Sequence, residues 1–310
     1  MNLRNSTHVT EFILSGLSSD PNLQLPLFLL CFSVYMVTLL GNFMLVLVIF
    51  VTPILQTPMY TFLMNLSVID IFYSSAITPN VMFNIVSINK TITITGCATQ
   101  MFLFIDLAGS EVMLLPAMAY DRYVAICKPL YYARFINRAT CFQLLSSIYT
   151  AAFVNALIHT YCAFTLPFCK SNRINHFFCD INPILKLSCK DTFVNQMLAF
   201  VVAGSLEVGS LLCIMTSYIC ILSALCRIGS SKRIKPLSTC ASHFTCVAMF
   251  YCPVFFTYLR PNSAYSVEQD WVVSVFYTLI IPMLNPIIYS LRNQDVKQAL
   301  TKLMASTMAP

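Results

Sequence analysis

The stretch that decides the fold is LPLFLLCFSVYMVTLLGNFMLVLVIFV (Leu25–Val51), which contains no charged side chain. A helix needs about 20 apolar residues to cross the roughly 30 Å hydrocarbon core of a bilayer, and this stretch exceeds that length. Residues 1–20 are polar and include the charged residues Arg4, Glu11 and Asp20, so they contain no apolar run typical of a cleavable signal peptide. We therefore expect the stretch to act as an uncleaved signal and first membrane anchor.

Six further stretches qualify by the same length and hydropathy, which predicts an all-α membrane protein with a seven-helix bundle. The seven predicted spans are Leu25–Val51, Met59–Val86, Ala98–Ile126, Cys141–Ala163, Met197–Cys226, Leu237–Leu259 and Trp271–Leu291. The predicted organisation is an N-terminal segment (1–24), one bundle domain (25–291) with a long outer loop (165–196), and a tail (292–310) with a short helix.

Composition agrees with this class. Hydrophobic residues make up 58% of the chain and charged residues only 10%, whereas a soluble domain carries about 25% charged residues. A water-soluble enzyme is therefore excluded. The net charge of +6 is spread over short basic clusters, which suits loops beside anionic lipid and argues against a nucleic-acid surface.

The distribution of basic residues predicts an extracellular N-terminus. In that orientation eleven of the 18 Lys and Arg residues lie on the cytoplasmic side, as the positive-inside rule requires. Two glycosylation sequons, at Asn5 and Asn89, then lie outside. We expect Asn5 to be glycosylated and leave Asn89 open.

Polar residues at membrane depth are costly and are therefore functional candidates. Asp70 and Glu111 lie near the middle of the second and third spans, with Asn42 and Asn285 at comparable depth on the first and seventh. Their oxygens would suit a buried Na⁺ or a shared proton. A satisfied polar cluster that only fixes helix packing is the alternative, and the residues do not choose between the two.

Two motifs fall at the predicted cytoplasmic ends of spans. Asp121-Arg122-Tyr123 ends the third span as a charge pair at the interface or as a switch that meets a partner. Near the end of the seventh span, Pro286 removes a helix hydrogen bond and predicts a kink. That kink is either a hinge or a static feature of a membrane helix.

Four cysteines fall on the predicted outer face, namely Cys97, Cys169, Cys179 and Cys189. Four oxidisable thiols allow three pairings, and spacing alone does not choose among them. A zinc site is the rival interpretation, but the spacing lacks a C-x₂-C pair.

Six short motifs follow one another along the chain: GN (41–42), LQTPMY (55–60), MAYDRYVAIC (118–127), SY (217–218), KPLSTCASH (235–243) and PMLNPIIY (282–289). In this order and spacing they resemble the olfactory receptor family of rhodopsin-like (class A) G-protein-coupled receptors. The resemblance covers nearly the whole chain. Gln56 stands where the family usually has His, and Pro236 where it usually has Ala.

The resemblance implies an odorant receptor, a glycoprotein of the plasma membrane and not an enzyme. It implies that a small volatile ligand binds within the bundle and that a heterotrimeric G protein of the olfactory Gs type is activated, which raises cyclic AMP. It also implies disulfides Cys97–Cys179 and Cys169–Cys189, and a sodium pocket at Asp70 and Glu111. The residues carried over as the coupling switch are Asp121, Arg122, Tyr123, Tyr218, His243, Asn285, Pro286 and Tyr289.

The third span argues for a neutral ligand. Two turns inward from Cys97 lies Phe104, where amine-binding relatives carry an aspartate, and Asp106 lies about 200° further round the helix. We therefore expect a small neutral volatile held by apolar contacts and one or two hydrogen bonds. The predicted lining, of which about a third is expected to be packing only, comprises Phe104, Ile105, Ala108, Gly109, Val202, Leu206, Tyr251, Val254, Phe255, Tyr258 and Thr278.

Other functions fit less well. A transporter predicts internal repeats and interrupted helices, and neither is visible. A retinal protein needs a lysine in the seventh span, and Trp271–Leu291 has none. A membrane metalloenzyme needs a ligand motif, which the four histidines (His8, His159, His176 and His243) do not form. The expected partners are thus an odorant, a G protein and membrane lipid, with no cofactor beyond the candidate Na⁺.

Overall fold

The computed structural model describes residues 10–18, 20–169, 171–227, 234–258 and 267–308. In chain order these form β1 (Glu11–Leu14), α1 (Pro21–Val51), α2 (Pro58–Val86), β2 (Thr91–Thr93), α3 (Ile94–Cys127), α4 (Tyr132–Phe135), α5 (Arg138–Phe164), β3 (Arg173–Ile174), α6 (Ile181–Leu185), α7 (Phe193–Cys226), α8 (Ile234–Tyr258), α9 (Val267–Val275), α10 (Ile281–Arg292) and α11 (Gln294–Met308). Two 3₁₀ turns precede α2 and α4, at Pro53–Leu55 and Pro129–Tyr131.

The long helices form the predicted seven-helix bundle. Six segments are long and apolar enough to cross a bilayer: α1, α2, α3, α5, α7 and residues 271–290. The sixth place is taken by α8, whose 25 residues extend over about 37 Å. It packs on α3 and α7 through the buried side chains Cys240, Val247 and Tyr251.

Most helices begin a few residues before the predicted spans. Polar caps explain the difference. Asp20 Oδ1 accepts a hydrogen bond from Asn22 N at 2.9 Å before α1, and Asn137 Oδ1 accepts one from Thr140 N at 2.9 Å before α5. Such caps satisfy the free N–H groups of the first turn. An apolar window cannot detect them because the capping residues are polar.

The seventh helix changes its hydrogen-bonding pattern before Pro282. Residues Phe276–Ile280 form a π-helical turn between α9 and α10, whereas α10 continues through Pro286. A proline lacks an N–H, and its ring crowds the carbonyl four residues earlier, so the preceding turn must widen. The sequence predicted the irregularity at Pro286, and the structure places the π-helical turn six to ten residues earlier, which is about two turns of the helix.

A small sheet covers one end of the bundle, and the sequence analysis missed it. β1 pairs antiparallel with β2 and parallel with β3, with Ile13 opposite both Thr91 and Arg173. Successive side chains of a strand point to opposite faces, and Phe12 and Leu14 accordingly are buried against the bundle. Since both disulfides lie beside this sheet, we refer to this end as the disulfide end.

At the opposite end, the tail folds into the predicted helix α11. Val296 and Ala299 are buried in the cluster that joins α1, α2 and α3. The Tyr60 hydroxyl donates a hydrogen bond to Asn293 Oδ1 at 3.2 Å, just before α11 begins. The tail helix is therefore anchored to the bundle by both apolar and polar contacts.

Candidate functional site

Two disulfides organise the long loop 165–192 that connects α5 with α7. The structure joins Cys97 to Cys179 and Cys169 to Cys189, with Cα atoms 5.5 and 5.8 Å apart. These are the two pairings that the family resemblance implies. The Gln100 side chain reinforces the first, because its Oε1 accepts a hydrogen bond from Cys179 N at 2.9 Å. The segment before Cys179 is thereby held against α3.

This segment places aromatic side chains over the bundle. The Phe178 ring lies 5.0 Å from the Phe104 ring of α3, centroid to centroid. The Phe104 ring also faces Tyr73 of α2 at 5.8 Å and Tyr277 of the seventh helix at 6.1 Å. We refer to Tyr73, Phe104, Phe178 and Tyr277 as the aromatic wall. Tilted ring pairs at such distances are favourable beyond their area burial.

Hydroxyl groups and one imidazole border the aromatic wall. His176 Nε2 lies 3.2 Å from Ser274 Oγ, and Ser274 Oγ lies 2.9 Å from the Tyr277 hydroxyl. The His176 ring stacks on Phe177, whose ring meets Trp271 edge to face at 5.7 Å. The loop is thus joined to the seventh helix by polar and aromatic contacts, next to the predicted ligand site.

Two of the predicted lining residues lie on this wall. Phe104 is a member of it, and Ala108, one turn further along α3, packs against the same cluster. Thr278 is buried on the seventh helix, where its hydroxyl donates to the Ser274 carbonyl at 2.7 Å. Tyr251 of α8 is also buried, and its hydroxyl donates to Ser210 Oγ at 2.6 Å, which links α8 to α7.

Three predicted lining residues lie elsewhere. Ile105 packs into the cluster beneath the sheet. Gly109 faces α5, because a Cβ placed on it would meet Ala152 Cβ at 3.7 Å. Val202 lines a crevice between α5 and α7 instead of the aromatic wall. Ile105 and Gly109 each follow a wall-facing residue of α3, Phe104 or Ala108, and therefore point about 100° away from the wall.

The other lining predictions are less constrained. Leu206 is half-buried on α7. Val254, Phe255 and Tyr258 belong to α8, but their side chains lie outside the described residues. His176, Phe178, Ser274 and Tyr277 were missed by the sequence analysis, and the one available signal was the position of His176 and Phe178 next to the disulfide cysteine Cys179.

The structure brings together three of the four predicted polar residues at mid-bundle. Asn285 Nδ2 of α10 lies 3.3 and 3.1 Å from the two carboxylate oxygens of Asp70, and its side chain also interacts with Glu111. Asn42 lies apart from them, because its Nδ2 donates to the carbonyls of Thr38 and Pro282, both at 3.0 Å. All four side chains are buried.

These oxygens could accept a small hard cation. Two carboxylates and an amide provide oxygen ligands of the type that Na⁺ and Ca²⁺ prefer. The Asn42 Oδ1 atom is buried and has no hydrogen-bond partner among the described residues. The oxygens of Asp70, Glu111 and Asn285 therefore fit the candidate sodium site.

At the end opposite the disulfides, the predicted pair of Asp121 with Arg122 does not form. Asp121 Oδ1 instead accepts a hydrogen bond from the Tyr132 hydroxyl of α4 at 2.8 Å. Consecutive helix residues point about 100° apart, which directs Arg122 into the bundle and Asp121 toward α4. Burial and then the Asp121 carboxylate raise the pKa of the Tyr132 phenol, so this hydroxyl stays protonated as the donor.

Arg122 is buried, and among the described residues no carboxylate forms a salt bridge with it, although Asp121 is its neighbour in the chain and interacts with it electrostatically. Its Nη1 donates only to the Met118 carbonyl of its own helix, at 3.4 Å, and its Nε has no partner among the described residues. A buried charge without a partner is unfavourable. The position of the Arg122 guanidinium therefore suits a group that pairs with an anion in a different conformation of the receptor or on a partner protein.

Other predicted switch residues surround this arginine. The Tyr218 hydroxyl of α7 lies 2.7 Å from His243 Nδ1 of α8, and also donates to the Cys240 carbonyl at 3.3 Å. Tyr289 is buried within the cluster shared by α1, α2 and α3. Tyr123 is half-buried and packs against both this cluster and that of α7 and α8. Four helices therefore meet at the predicted switch.

Comparison with known proteins identifies the chain. The profile of the family described as "Olfactory receptor" matches residues 30–307. This chain belongs to the olfactory receptor family. It is 49% identical to Olfactory receptor 5AP2 of Mus musculus over 302 residues (97% of this chain and 95% of that protein). It is 46% identical to Olfactory receptor 5AR1 of Homo sapiens over 305 residues (98% of each chain).

The fold is also that of a solved receptor. The crystal structure of squid rhodopsin matches with a TM-score of 0.68 at 14% identity, covering 94% of this chain and 88% of that chain. This olfactory receptor is therefore an odorant-sensing G-protein-coupled receptor, a multi-pass protein of the plasma membrane and not an enzyme. Its disulfide end is extracellular.

One of the two predicted glycosylation sites, Asn89, lies at the disulfide end of this olfactory receptor. Asn89 is exposed in the turn between α2 and β2. Asn5 lies outside the described residues.

Proposed function

We propose that this receptor binds a small neutral volatile compound beside the aromatic wall and, in response, activates a Gs-type heterotrimeric G protein that raises cyclic AMP. The observation that supports the ligand class is the chemistry of that wall. Phe104 is surrounded by Tyr73, Phe178 and Tyr277, so it offers π-faces and apolar edges at the place where an ammonium ligand would need a carboxylate. Burial of an apolar ligand there is worth about 25 cal/mol per Å² of apolar surface.

The polar edge of the wall supplies orientation. The hydroxyls of Ser274 and Tyr277 and the His176 imidazole lie within one hydrogen-bonded chain. Small-molecule sites typically combine an apolar lining with a few such groups. A ligand with one carbonyl or hydroxyl oxygen would meet both requirements.

A panel of neutral volatiles with matched amines and acids, applied to reporter cells that express the receptor, tests this proposal. We expect at least one neutral compound to raise cyclic AMP, with a smaller response to the amine of the same carbon skeleton. A response confined to amines or acids would contradict the ligand class. A response in calcium without cyclic AMP would contradict the coupling.

Ala108→Leu is expected to raise the half-maximal agonist concentration about 5- to 150-fold, and to favour shorter ligands. The larger side chain would occupy space next to Phe104, and overfilling a packed site costs about 1–3 kcal/mol. Val208→Leu is the matched control, because Val208 is 56% exposed on the lipid-facing side of α7. Equal potency for both variants and the wild type would place the ligand elsewhere.

The mid-bundle carboxylates are proposed to hold Na⁺ in the resting receptor, with Asp70, Glu111 and Asn285 as ligands. We expect agonist potency to fall when choline is replaced by sodium in the medium, and Asp70→Asn to remove that difference. Asp106→Asn is the control, since Asp106 is a half-buried carboxylate on α3. Sodium sensitivity that survives in Asp70→Asn would show that these residues only fix helix packing.

A further inference from the structure

A crevice of about 680 Å³ lies between α5 and α7 and opens toward the lipid. Ligand sites for small molecules typically enclose about 300–1,000 Å³. Along α5 it extends from Ser146 to His159, which are thirteen residues and therefore about 20 Å apart. Because α5 ends at the extracellular loop, His159 marks the outer end of the crevice, and Ser146 lies in the cytoplasmic half of α5, eight residues from its start at Arg138.

Two nitrogen-bearing side chains at the outer end of the crevice lack hydrogen-bond partners among the described residues. His159 is only 5% exposed, yet no described residue forms a hydrogen bond with its ring. Asn155, four residues earlier on the same helix face, likewise lines the crevice and has no hydrogen-bond partner among the described residues. A buried imidazole and an amide without partners are costly at membrane depth, so a bound group that donates and accepts a hydrogen bond would stabilise both.

The rest of the wall is mostly apolar. Val154 and Ile158 of α5 face Leu198 and Val202 of α7. Deeper in the crevice, the Ser147 hydroxyl is already satisfied, because it donates to the Gln143 carbonyl at 2.7 Å. None of the ten described residues that line the crevice is charged, so a phospholipid phosphate would have no cation to pair with.

We propose that this crevice binds a membrane sterol from the outer leaflet, with the single sterol hydroxyl held between Asn155 and His159. The Asn155 amide donates to the hydroxyl oxygen, and the hydroxyl proton is donated to the unprotonated ring nitrogen of His159. The rigid apolar body lies along Val154, Ile158 and Val202 toward the membrane centre. A sterol matches the site because it carries one uncharged polar group at one end of an elongated apolar body.

Photolabelling of the full-length receptor with a cholesterol analogue that carries a ring diazirine tests the proposal without any odorant. The purified receptor in detergent is irradiated with the analogue, digested, and its labelled peptides are identified by mass spectrometry. We expect saturable labelling on α5 and α7 that unlabelled cholesterol displaces. Cholesteryl methyl ether, which lacks the hydroxyl proton, is expected to compete about fivefold less well.

Three variants localise the site. His159→Phe keeps a planar ring but removes both nitrogens, and is expected to weaken labelling about fivefold. Ala151→Trp fills the crevice and is expected to abolish labelling. Ser223→Trp is the matched control, because Ser223 is exposed on the cytoplasmic half of α7, and it should change nothing. If His159→Phe fails to reach the membrane, Asn155→Leu is expected to give the same loss.

Labelling spread evenly over the lipid-facing helices would overturn the proposal, as would a saturable site on other helices. Full labelling of Ala151→Trp would overturn it too. Labelling that is saturable at the crevice but equally displaced by cholesterol and its methyl ether would show that shape, and not the hydroxyl contact, determines binding, and would contradict the assigned roles of Asn155 and His159.

Discussion

Arg122→Ala is expected to abolish the odorant-evoked rise in cyclic AMP while the receptor still reaches the cell surface. In the structure, Arg122 is buried, its one hydrogen bond to a described residue goes to a carbonyl of its own helix, and its Nε has no described partner. Its truncation breaks no salt bridge among the described residues, so we expect the folded receptor to keep its stability. If the guanidinium is used only in the active state, its loss removes coupling worth about 1–3 kcal/mol, or about 5- to 150-fold.

Arg134→Ala is the control for this experiment. Arg134 is exposed on α4, on the same side of the membrane, so its loss tests the effect of removing one cytoplasmic positive charge. We expect near wild-type signalling from it. Undiminished cyclic AMP output from Arg122→Ala at equal surface expression would refute the assigned role.

Cys97→Ser is expected to remove the receptor from the cell surface. The Cys97–Cys179 bond closes a separation of 82 residues and the Cys169–Cys189 bond one of 20. By the chain-entropy relation these constrain the unfolded chain by roughly 4.5 and 3.3 kcal/mol. Loss of the Cys97–Cys179 bond would cost more than half of the free energy of unfolding of a marginally stable domain, which is about 5 kcal/mol. It would also release the segment that carries His176 and Phe178.

The disulfide prediction has two internal checks. Cys179→Ser and the double variant Cys97→Ser/Cys179→Ser should match Cys97→Ser, because all three remove the same bond. Cys213→Ser, at an exposed free cysteine of α7, should have no effect. Normal surface expression of Cys97→Ser, measured by antibody staining of intact cells, would contradict the account.

The transmembrane helices could be predicted from the sequence because their signal is local. An apolar run of about 20 residues forms a helix in a bilayer, because a helix satisfies all backbone hydrogen bonds within the segment. The small sheet had no such signal. Its strands of four, three and two residues are joined by pairings between Ile13 and residues 78 and 160 positions away, which no local pattern reveals.

The residues of the aromatic wall were predicted in part, for a geometric reason. Counting from Cys97 selected Phe104, which lies in the aromatic wall, and Ala108 follows one turn later on the same face. Ile105 and Gly109 each lie about 100° away and face the sheet and α5 instead. The loop residues His176 and Phe178 depend on the fold of the long loop, which the disulfides and the sheet fix together.

The polar residues at mid-bundle and the predicted switch show the same limit of prediction from sequence. Depth along the spans placed Asp70, Glu111 and Asn285 together, and the structure confirms that proximity. Sequence adjacency suggested a pair between Asp121 and Arg122, whereas the Tyr132 hydroxyl is the actual partner of Asp121. The number of residues along a span fixes how deep a side chain lies in the membrane. The direction in which it points depends on how its helix is rotated about its own axis against the neighbouring helices.

The central claim is that a neutral volatile bound within this bundle activates a Gs-type G protein, and nucleotide exchange on the purified proteins tests it most directly. The receptor in nanodiscs is mixed with purified Gs heterotrimer, and binding of a non-hydrolysable GTP analogue is followed with and without a neutral agonist found in the reporter screen. The account predicts that the agonist accelerates exchange with the wild-type receptor and with Arg134→Ala, but not with Arg122→Ala. Exchange that is unchanged by the agonist, or equally accelerated in all three, would contradict it.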